Sequence, residues 1–406
     1  MRKAAEEIVS ILRRNGYEAY FAGGWARDFL LGRKAKDIDI ASSAPPDDVL
    51  HLFPKSRALG AAFGVVQVRR YGREYEVTTF RSDYDYRDGR RPERVVFSTA
   101  KEDAARRDFT INGLFYDPIE DRLIDYVGGN EDIRRKIIRA IGDASARFAE
   151  DKLRMLRAVR FACTLNFVID EKTWGAVKRF ASYISAVSWE RIRDELSGIL
   201  TGPDPGRGLD LLRESGLLEH ILPEITWPQN DLRFAETRDI AAYLRKPSFP
   251  LAMSALLYRA GDSADIERIC RRLKMSKAEI ARIMDVLSAQ EFFAEPEAIS
   301  KSARTRLAGK SYIGEHLEFC RARLKAMGQD TGLFTRWRKE LASLRQNPPP
   351  SPLIDGNDLI ALGCKPGPAF RKILRAIEDM QYEGLLTSRP EALRYIQKSF
   401  VNTYTP

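Results

Sequence analysis

Apolar residues near the start recur at helical spacing, with Ile8, Ile11 and Leu12 on one stripe, and this predicts a helix over residues 1 to about 16. From Tyr17 to about Val127 the texture changes to short apolar runs alternating with helical pieces. Val65-Val66-Gln67-Val68 and Tyr75-Glu76-Val77-Thr78-Thr79-Phe80 are the clearest strands; Phe21-Ala22 reads as the end of another, and Val95-Val96-Phe97 as a further short run. The stretch from Arg81 to Pro92 is polar, aromatic and broken by Gly89, which predicts a mobile loop. From about Ala144 onward the pattern is helical almost throughout, punctuated by Gly202-Pro203-Asp204-Pro205-Gly206 and Asn347-Pro348-Pro349-Pro350-Ser351-Pro352. No internal repeat is visible. The expected fold class is α+β: a head with a small mixed sheet and helices over residues 1–143, then an elongated all-α part. That part divides into a neck over 144–202, a body over 203–346, and a linker with a small tail over 347–406.

Composition narrows the function classes. A chain of 406 residues, 44% hydrophobic and 31% charged, has the makeup of a soluble globular protein of two to four domains. No apolar run approaches a membrane span, and Met1-Arg2-Lys3-Ala4-Ala5-Glu6-Glu7 leads into an amphipathic helix, so no membrane partner and a cytoplasmic location are expected. Four scattered cysteines and three histidines argue against zinc and against histidine acid–base chemistry. The net charge of +10, with arginine clustered in particular segments, points to a polyanionic partner.

The chemistry concentrates in three segments. In Lys36-Asp37-Ile38-Asp39-Ile40 a strand would put both carboxylates on one face and both isoleucines on the other. Two like charges that close are costly without a cation, and hard oxygen donors suit Mg²⁺. Alone, the pair also reads as two solvated acids at a strand end. Upstream, Gly23-Gly24-Trp25-Ala26-Arg27-Asp28 follows the strand end and precedes a helix beginning near Asp28, an order that lets backbone N–H groups and Arg27 approach a phosphate. Arg106-Arg107-Asp108-Phe109-Thr110-Ile111-Asn112 reads either as a phosphate-binding segment through Arg107, oriented by Asp108 and Asn112, or as a helix entrance capped by its acid and amide. In Glu150-Asp151-Lys152-Leu153-Arg154-Met155-Leu156-Arg157 a continuous helix would bring Asp151 and Arg154 together at i and i+3. An acid beside an arginine can copy one edge of a base pair; it is equally a simple ion pair. On that helix Arg157 stays near Arg154, while Arg160 falls nearly opposite Asp151. Ser188-Trp189-Glu190-Arg191-Ile192-Arg193-Asp194-Glu195-Leu196 reads as a brace for it.

Taken in order, these segments resemble the class II tRNA nucleotidyltransferase and bacterial poly(A) polymerase family, over roughly residues 17 to 225 and again at Pro366-Gly367-Pro368. The resemblance implies a polymerase-beta-like nucleotidyltransferase head with Mg²⁺ on Asp37 and Asp39, and Glu76 as third carboxylate, although spacing alone does not prefer Glu76 over Glu74. It implies nucleotide contacts at Gly24, Arg27, Arg107, Asp151, Arg154, Arg157 and Arg160. The activity implied is template-independent addition of CCA, or its terminal A, to the tRNA 3′ end from CTP and ATP. One departure is Trp25-Ala26, where small aliphatics are usual, and a packing change is expected there. Retention of residues 83–92 disfavours CC-only addition, and Ala61-Ala62 before Phe63 lacks the basic pair that poly(A) polymerases share. Poly(A) polymerase and a catalytically silent RNA-binding protein of the same fold are the alternatives. Arg268-Ile269-Cys270-Arg271-Arg272-Leu273-Lys274 and Arg321-Ala322-Arg323-Leu324-Lys325 read individually as solvated helix faces, and together as a surface for the acceptor stem of tRNA.

Overall fold

The computed structural model describes the chain except residues 36, 61–63, 87–91, 226–230, 295–298, 348, 365 and 402–406. Two compact units form: residues 1–231 with 267–275, and residues 232–266 with 276–406.

The first unit opens with α1 (Arg2–Arg14), which buries Ala4, Ala5, Ile8, Val9 and Leu12. The chain then runs β1 (Ala19–Ala22), α2 (Gly24–Leu30), β2 (Asp39–Ser42), α3 (Pro46–Leu52), β3 (Ser56–Gly60), β4 (Val65–Arg70) and β5 (Arg73–Thr79). After β6 (Arg81–Tyr86), β7 (Pro92–Phe97) and α4 (Ala100–Ala105) come β8 (Leu114–Asp117) and β9 (Arg122–Asp125). Seven strands form one mixed sheet in the order β3-β4-β5-β2-β1-β8-β9. β2 lies antiparallel to β1 and parallel to β5, so the Asp39 strand occupies the middle of the sheet. Tyr20, Ala22, Ala41, Phe80 and Phe115 pack with Ala100 and Ala104 of α4 into one apolar core.

The segment expected to be a loop is largely paired strand: β6 and β7 form an antiparallel ladder from Arg81↔Phe97 to Tyr86↔Pro92. Polar composition hid these strands because cross-strand backbone hydrogen bonds form whatever the side chains are. Residues 87–91, at the centre of that expectation, and 61–63 lie outside the described residues.

Helices take over after α5 (Gly129–Arg135) and β10 (Ile137–Ile138): α6 (Ala144–Glu150), α7 (Arg154–Leu165), α8 (Glu171–Phe180), α9 (Trp189–Leu200), α10 (Pro205–Glu214) and α11 (Leu217–Ile221). A short β11 (Val168–Ile169) pairs parallel with β10. The break near residue 204 becomes the cap of α10, where the Asp204 side chain accepts from Arg207 N and Pro205 occupies the first turn.

The second unit is helical: α12 (Asp231–Tyr243), α13 (Phe249–Leu256), α14 (Ser263–Arg272), α15 (Lys277–Ala294), α16 (Lys301–Gly309), α17 (Ile313–Ala326) and α18 (Gly332–Gln346), then α19 (Gly356–Ala361), α20 (Pro368–Glu383) and α21 (Arg389–Ile396). The last residues of α14, from Glu267, belong to the first unit. Trp337, Phe293, Cys320 and Leu341 centre one core, and Leu359, Ile373, Ile377 and Ile396 another. The basic segments are solvated faces only in part: Arg268, Arg271, Lys274 and Lys325 are exposed, while other arginines turn inward. Arg321 and Arg323 are buried, and Arg321 donates to Glu318 and to the carbonyl of Tyr243. Arg272 donates to Glu224. Among the described residues no helix is long and apolar enough to cross a membrane. None of the four cysteines is in a disulfide, and burial pushes the Cys163 thiol up to about 12, as expected of an inert core group.

Candidate active site

Ile38 and Ile40 are buried, while Asp37 and Asp39 are exposed on the opposite side. The alternation holds although β2 begins only at Asp39, leaving Asp37 just before the strand. Both carboxylates line a cleft of about 630 Å³ together with Gly23, Gly24 and Arg107. Parallel pairing of Ile40 with Val77 puts Asp39 next to Glu76, one residue earlier on each strand, and carries Glu74 farther away, where Arg57 lies 3.8 Å from it. The register thus distinguishes two glutamates that spacing could not. Enclosure by the protein around the cleft pushes the Asp39 carboxyl up to about 6; the charges of Asp37 and Glu76 add to this and Arg107 opposes it.

The helix after the diglycine starts earlier than Asp28: α2 begins at Gly24, with Gly23 as its cap at φ +61°. No side chain caps it, so first-turn N–H groups are left for an anion. A Cβ on Gly23 would stand 2.8 Å from Arg107 Nη1, so glycine is needed both for the backbone and for the space. Arg107 is itself held from behind: its Nη2 lies 2.9 Å from Asp103, which also takes Arg106 at 2.6 Å. Burial pushes Asp103 up, but the two guanidiniums outweigh it and hold the carboxyl below the ordinary range. Asp103 was missed in the sequence; its signal was an acid three and four residues before an arginine pair.

Thr110–Asn112 form a single 3₁₀ turn capped at Phe109 with no side-chain cap, so Asp108 stands just before the cap and serves as an acceptor instead. Its Oδ1 accepts from Phe109 N at 2.8 Å and Asn112 Nδ2 at 3.0 Å, and its Oδ2 accepts from Arg157 Nε at 2.7 Å. Burial raises the carboxyl, but the Arg157 charge and these bonds bring it to about 2. Arg27 Nη1 donates to Asn112 at 2.7 Å, and Arg157 and Arg160 reach Glu195 at 3.7 and 2.5 Å. Polar links therefore run unbroken from α2 to α9. Phe161, absent from the sequence expectations, lies under three guanidiniums: Arg160 at 4.3 Å, and Arg27 and Arg157 at 5.3 Å each.

Asp151 and Arg154 do not share a helix. Asp151 lies between α6 and α7 in extended backbone, φ −140° and ψ 104°, and its Oδ1 accepts from Leu153 N at 3.1 Å. A short polar side chain that can bond its own backbone favours such a turn over continued helix, which is why the i, i+3 argument fails. The same break invalidates the angular argument that carried Arg160 away from Asp151. Asp151, Arg154, Arg157 and Arg160 all line the cleft, with Arg191. Arg191 Nη2 reaches Asp151 Oδ2 at 2.7 Å, so the brace expected from residues 188–196 is present. Arg154 is buried and donates to Glu150 at 2.8 Å and to the carbonyls of Arg147 and Arg106 at 3.2 Å each. Trp25 packs between Phe29, at 5.0 Å and nearly parallel, and Phe21 at 4.8 Å, away from the cleft lining.

Family models match three stretches: the Poly A polymerase head domain over residues 19–139, a probable RNA and SrmB-binding site of polymerase A over 166–227, and tRNA nucleotidyltransferase domain 2 over 249–396. A CCA-adding enzyme of Geobacillus sp. (strain WCH70) is 35% identical over 95% of this chain and 94% of its own. That of Geobacillus stearothermophilus is 38% identical over 91% and 90%. A crystal structure of the Bacillus stearothermophilus CCA-adding enzyme in complex with CTP superposes with a TM-score of 0.79 at 31% identity, covering 98% of this chain and 96% of that one. The Thermotoga maritima CCA-adding enzyme complexed with tRNA, at 22% identity and a TM-score of 0.68, shares the fold. The chain belongs to the class II CCA-adding enzyme family of nucleotidyltransferases.

Proposed function

We propose that the protein adds CCA to the 3′ end of tRNA from CTP and ATP, releasing pyrophosphate, with its cleft as the single site for both nucleotides. One observation carries this reading: the carboxylate pair, the diglycine turn with Arg107, and the Asp151–Arg154 segment converge on one cleft within one unit. Gly24 N–H, Arg27 and Arg107 hold the triphosphate, Arg157 and Arg160 support its sugar and base end, and Asp151 and Arg154 present an acceptor and donors to the base edge. Adenine and cytosine both offer an amine beside a ring-nitrogen acceptor, which matches that pair; guanine and uracil reverse the pattern.

The carboxylates fit a divalent cation such as Mg²⁺. They are hard oxygen donors, no Cys or His lines the cleft, and Asp37 and Glu76 add to burial in raising the Asp39 carboxyl against the opposing Arg107. Asp37 and Asp39 would hold the ion, with Glu76 the third carboxylate acting on Asp39 through its charge. Among the described residues no cluster of three potential ligands is preassembled. When bound, the cation supplies charge to the attacking 3′-oxygen and to the departing pyrophosphate. The RNA 3′-hydroxyl oxygen attacks the α-phosphorus and gives its proton to solvent, the bond to pyrophosphate breaks with its electron pair leaving on pyrophosphate, and Arg107 keeps the triphosphate in line. The proposed location of the reaction is the cytoplasm.

Products on three tRNA ends test the reading. A tRNA lacking all three nucleotides should gain two C from CTP alone, one ending in CC should gain one A from ATP, and growth should stop there. A long A ladder would make the protein a poly(A) polymerase, and A without C an A-adding specialist. No incorporation with Mg²⁺ present would leave an RNA-binding protein of this fold.

A further inference from the structure

Phe161 lines the cleft, is buried, and enters none of the steps above. A core phenylalanine ordinarily meets apolar neighbours. This one has the guanidinium carbon of Arg160 at 4.3 Å from its ring centre, and those of Arg27 and Arg157 at 5.3 Å each. All three lie within the ~6 Å over which the negative face of a ring attracts a cation. Arg27 comes from α2 and the other two from α7, so the ring is where cations of the head and of the neck meet.

Filling a gap does not account for this arrangement. The charges are already answered, because Arg27 pairs with Asp28, Arg157 with Asp108 and Arg160 with Glu195. Those pairs fix one edge of each guanidinium; the ring supplies a broad apolar face for the planar groups. Arg160 shows the effect most clearly. Residues i and i+1 of a helix do not face each other, yet Arg160 folds across to the ring of the residue that follows it. Two features of α9 permit this. Glu195 takes Arg160 Nε at 2.5 Å, and Gly198 leaves space where a Cβ would collide with Arg160 Cδ. Glycine inside a helix is destabilising, and here the room it leaves is occupied by that arginine. The ring is itself fixed, standing at 81° to Phe109 with 5.8 Å between centres. Phe109 follows Asp108, so the acid that holds Arg157 and the ring beside it share one support.

We infer that Phe161 is a positioning residue for the nucleotide, its ring the common seat that aims Arg27, Arg157 and Arg160 at one nucleotide whichever base it carries. This rests on the reading of those arginines as nucleotide contacts. Phenylalanine analogues with one, two or three ring fluorines, installed at position 161 of the full-length protein, provide the test. Fluorine drains the ring's negative face with little change of shape. Calorimetry with Mg²⁺ and without tRNA then gives Kd for ATP and for CTP. Both should rise stepwise along the series, by roughly tenfold at the last member, while the ATP-to-CTP ratio stays within about twofold. Phe161→Leu should weaken both nucleotides at least as much. Flat affinity along the fluorine series would overturn the inference and leave Phe161 a core filler. A loss confined to one nucleotide would overturn it too, since a shared seat serves both bases. Unchanged Kd in Arg27→Ala and Arg157→Ala would instead overturn the reading of the arginines, and this inference with it. If Phe161→Leu does not fold by circular dichroism, the fluorine series, which keeps the packing, decides alone.

Discussion

The two ends of the cleft handle charge in opposite ways. On the head sheet burial and the charges of Asp37 and Glu76, with Arg107 opposing, push Asp39 up to about 6. Across the cleft, Asp108, Asp151, Glu150 and Glu195 each face an arginine at 3.7 Å or less, and Asp108 is held at about 2. One end is left short of positive charge; the other is neutralised from within. Under the proposed function the first arrangement suits an end that receives a cation and the second an end that reads a base edge. The same fold supplies both because the acids of the head come from adjacent strands of one sheet. Those of the neck are answered by arginines on neighbouring helices.

Breaking the head end should have the largest effect. Asp39→Asn is expected to lower single-turnover nucleotide transfer by about a thousandfold or more. RNA affinity, measured by filter binding, should persist. Because the ionised Asp39 is disfavoured in the fold, its removal should leave the urea midpoint unchanged or slightly higher. A clear loss of stability would mean that the pair is structural.

Gly23→Ala attacks the join between the two ends. The new methyl would displace Arg107 and strain a left-handed backbone, so transfer should fall by roughly ten- to hundredfold at a stability cost of about 1 kcal/mol. Restored activity at saturating ATP would show that only ground-state binding had suffered.

The neck end is probed through stability and pH. A carboxyl held at about 2 when folded and near 3.9 when unfolded contributes about 2–3 kcal/mol that is present above roughly pH 4 and lost as pH falls toward 2. Acid unfolding should therefore steepen below pH 4, and Asp108→Asn should flatten that limb while lowering neutral stability by about 2–3 kcal/mol, short of a fully buried pair because Arg157 is one-third exposed. In the second unit Asp285, brought to about 2 chiefly by hydrogen bonds from His316 and Lys310 that overcome its burial, should add a smaller acid transition of the same sign. Urea titrations at pH 7, 4 and 3 measure all of these.

Trp25→Leu should affect turnover least. It removes the stack on Phe29 and the edge contact with Phe21, costing about 1–3 kcal/mol, yet transfer rates should stay within about twofold. A tenfold rate loss would tie this aromatic cluster to the chemistry.

Much of this protein was determined by local pattern. Asp37 and Asp39 could be placed on one side because Ile38 and Ile40 had to be buried, and a two-residue period follows from the pleat alone. The helical texture after residue 144 and the break at Asp204 likewise depend on nearby residues only. Tertiary structure decided what depends on register and on neighbours far along the chain. Glu76 was distinguished from Glu74 only when β2 aligned with β5. Asp108 became an anchor only when Arg157, 49 residues on, reached it. Asp151 left the helix, and Arg160 came into the cleft, because a side chain bonded its own backbone and α9 lay against the turn. Periodicity records which face is buried; it holds no information on which charged group will stand opposite, since that is settled by the packing of elements distant in sequence.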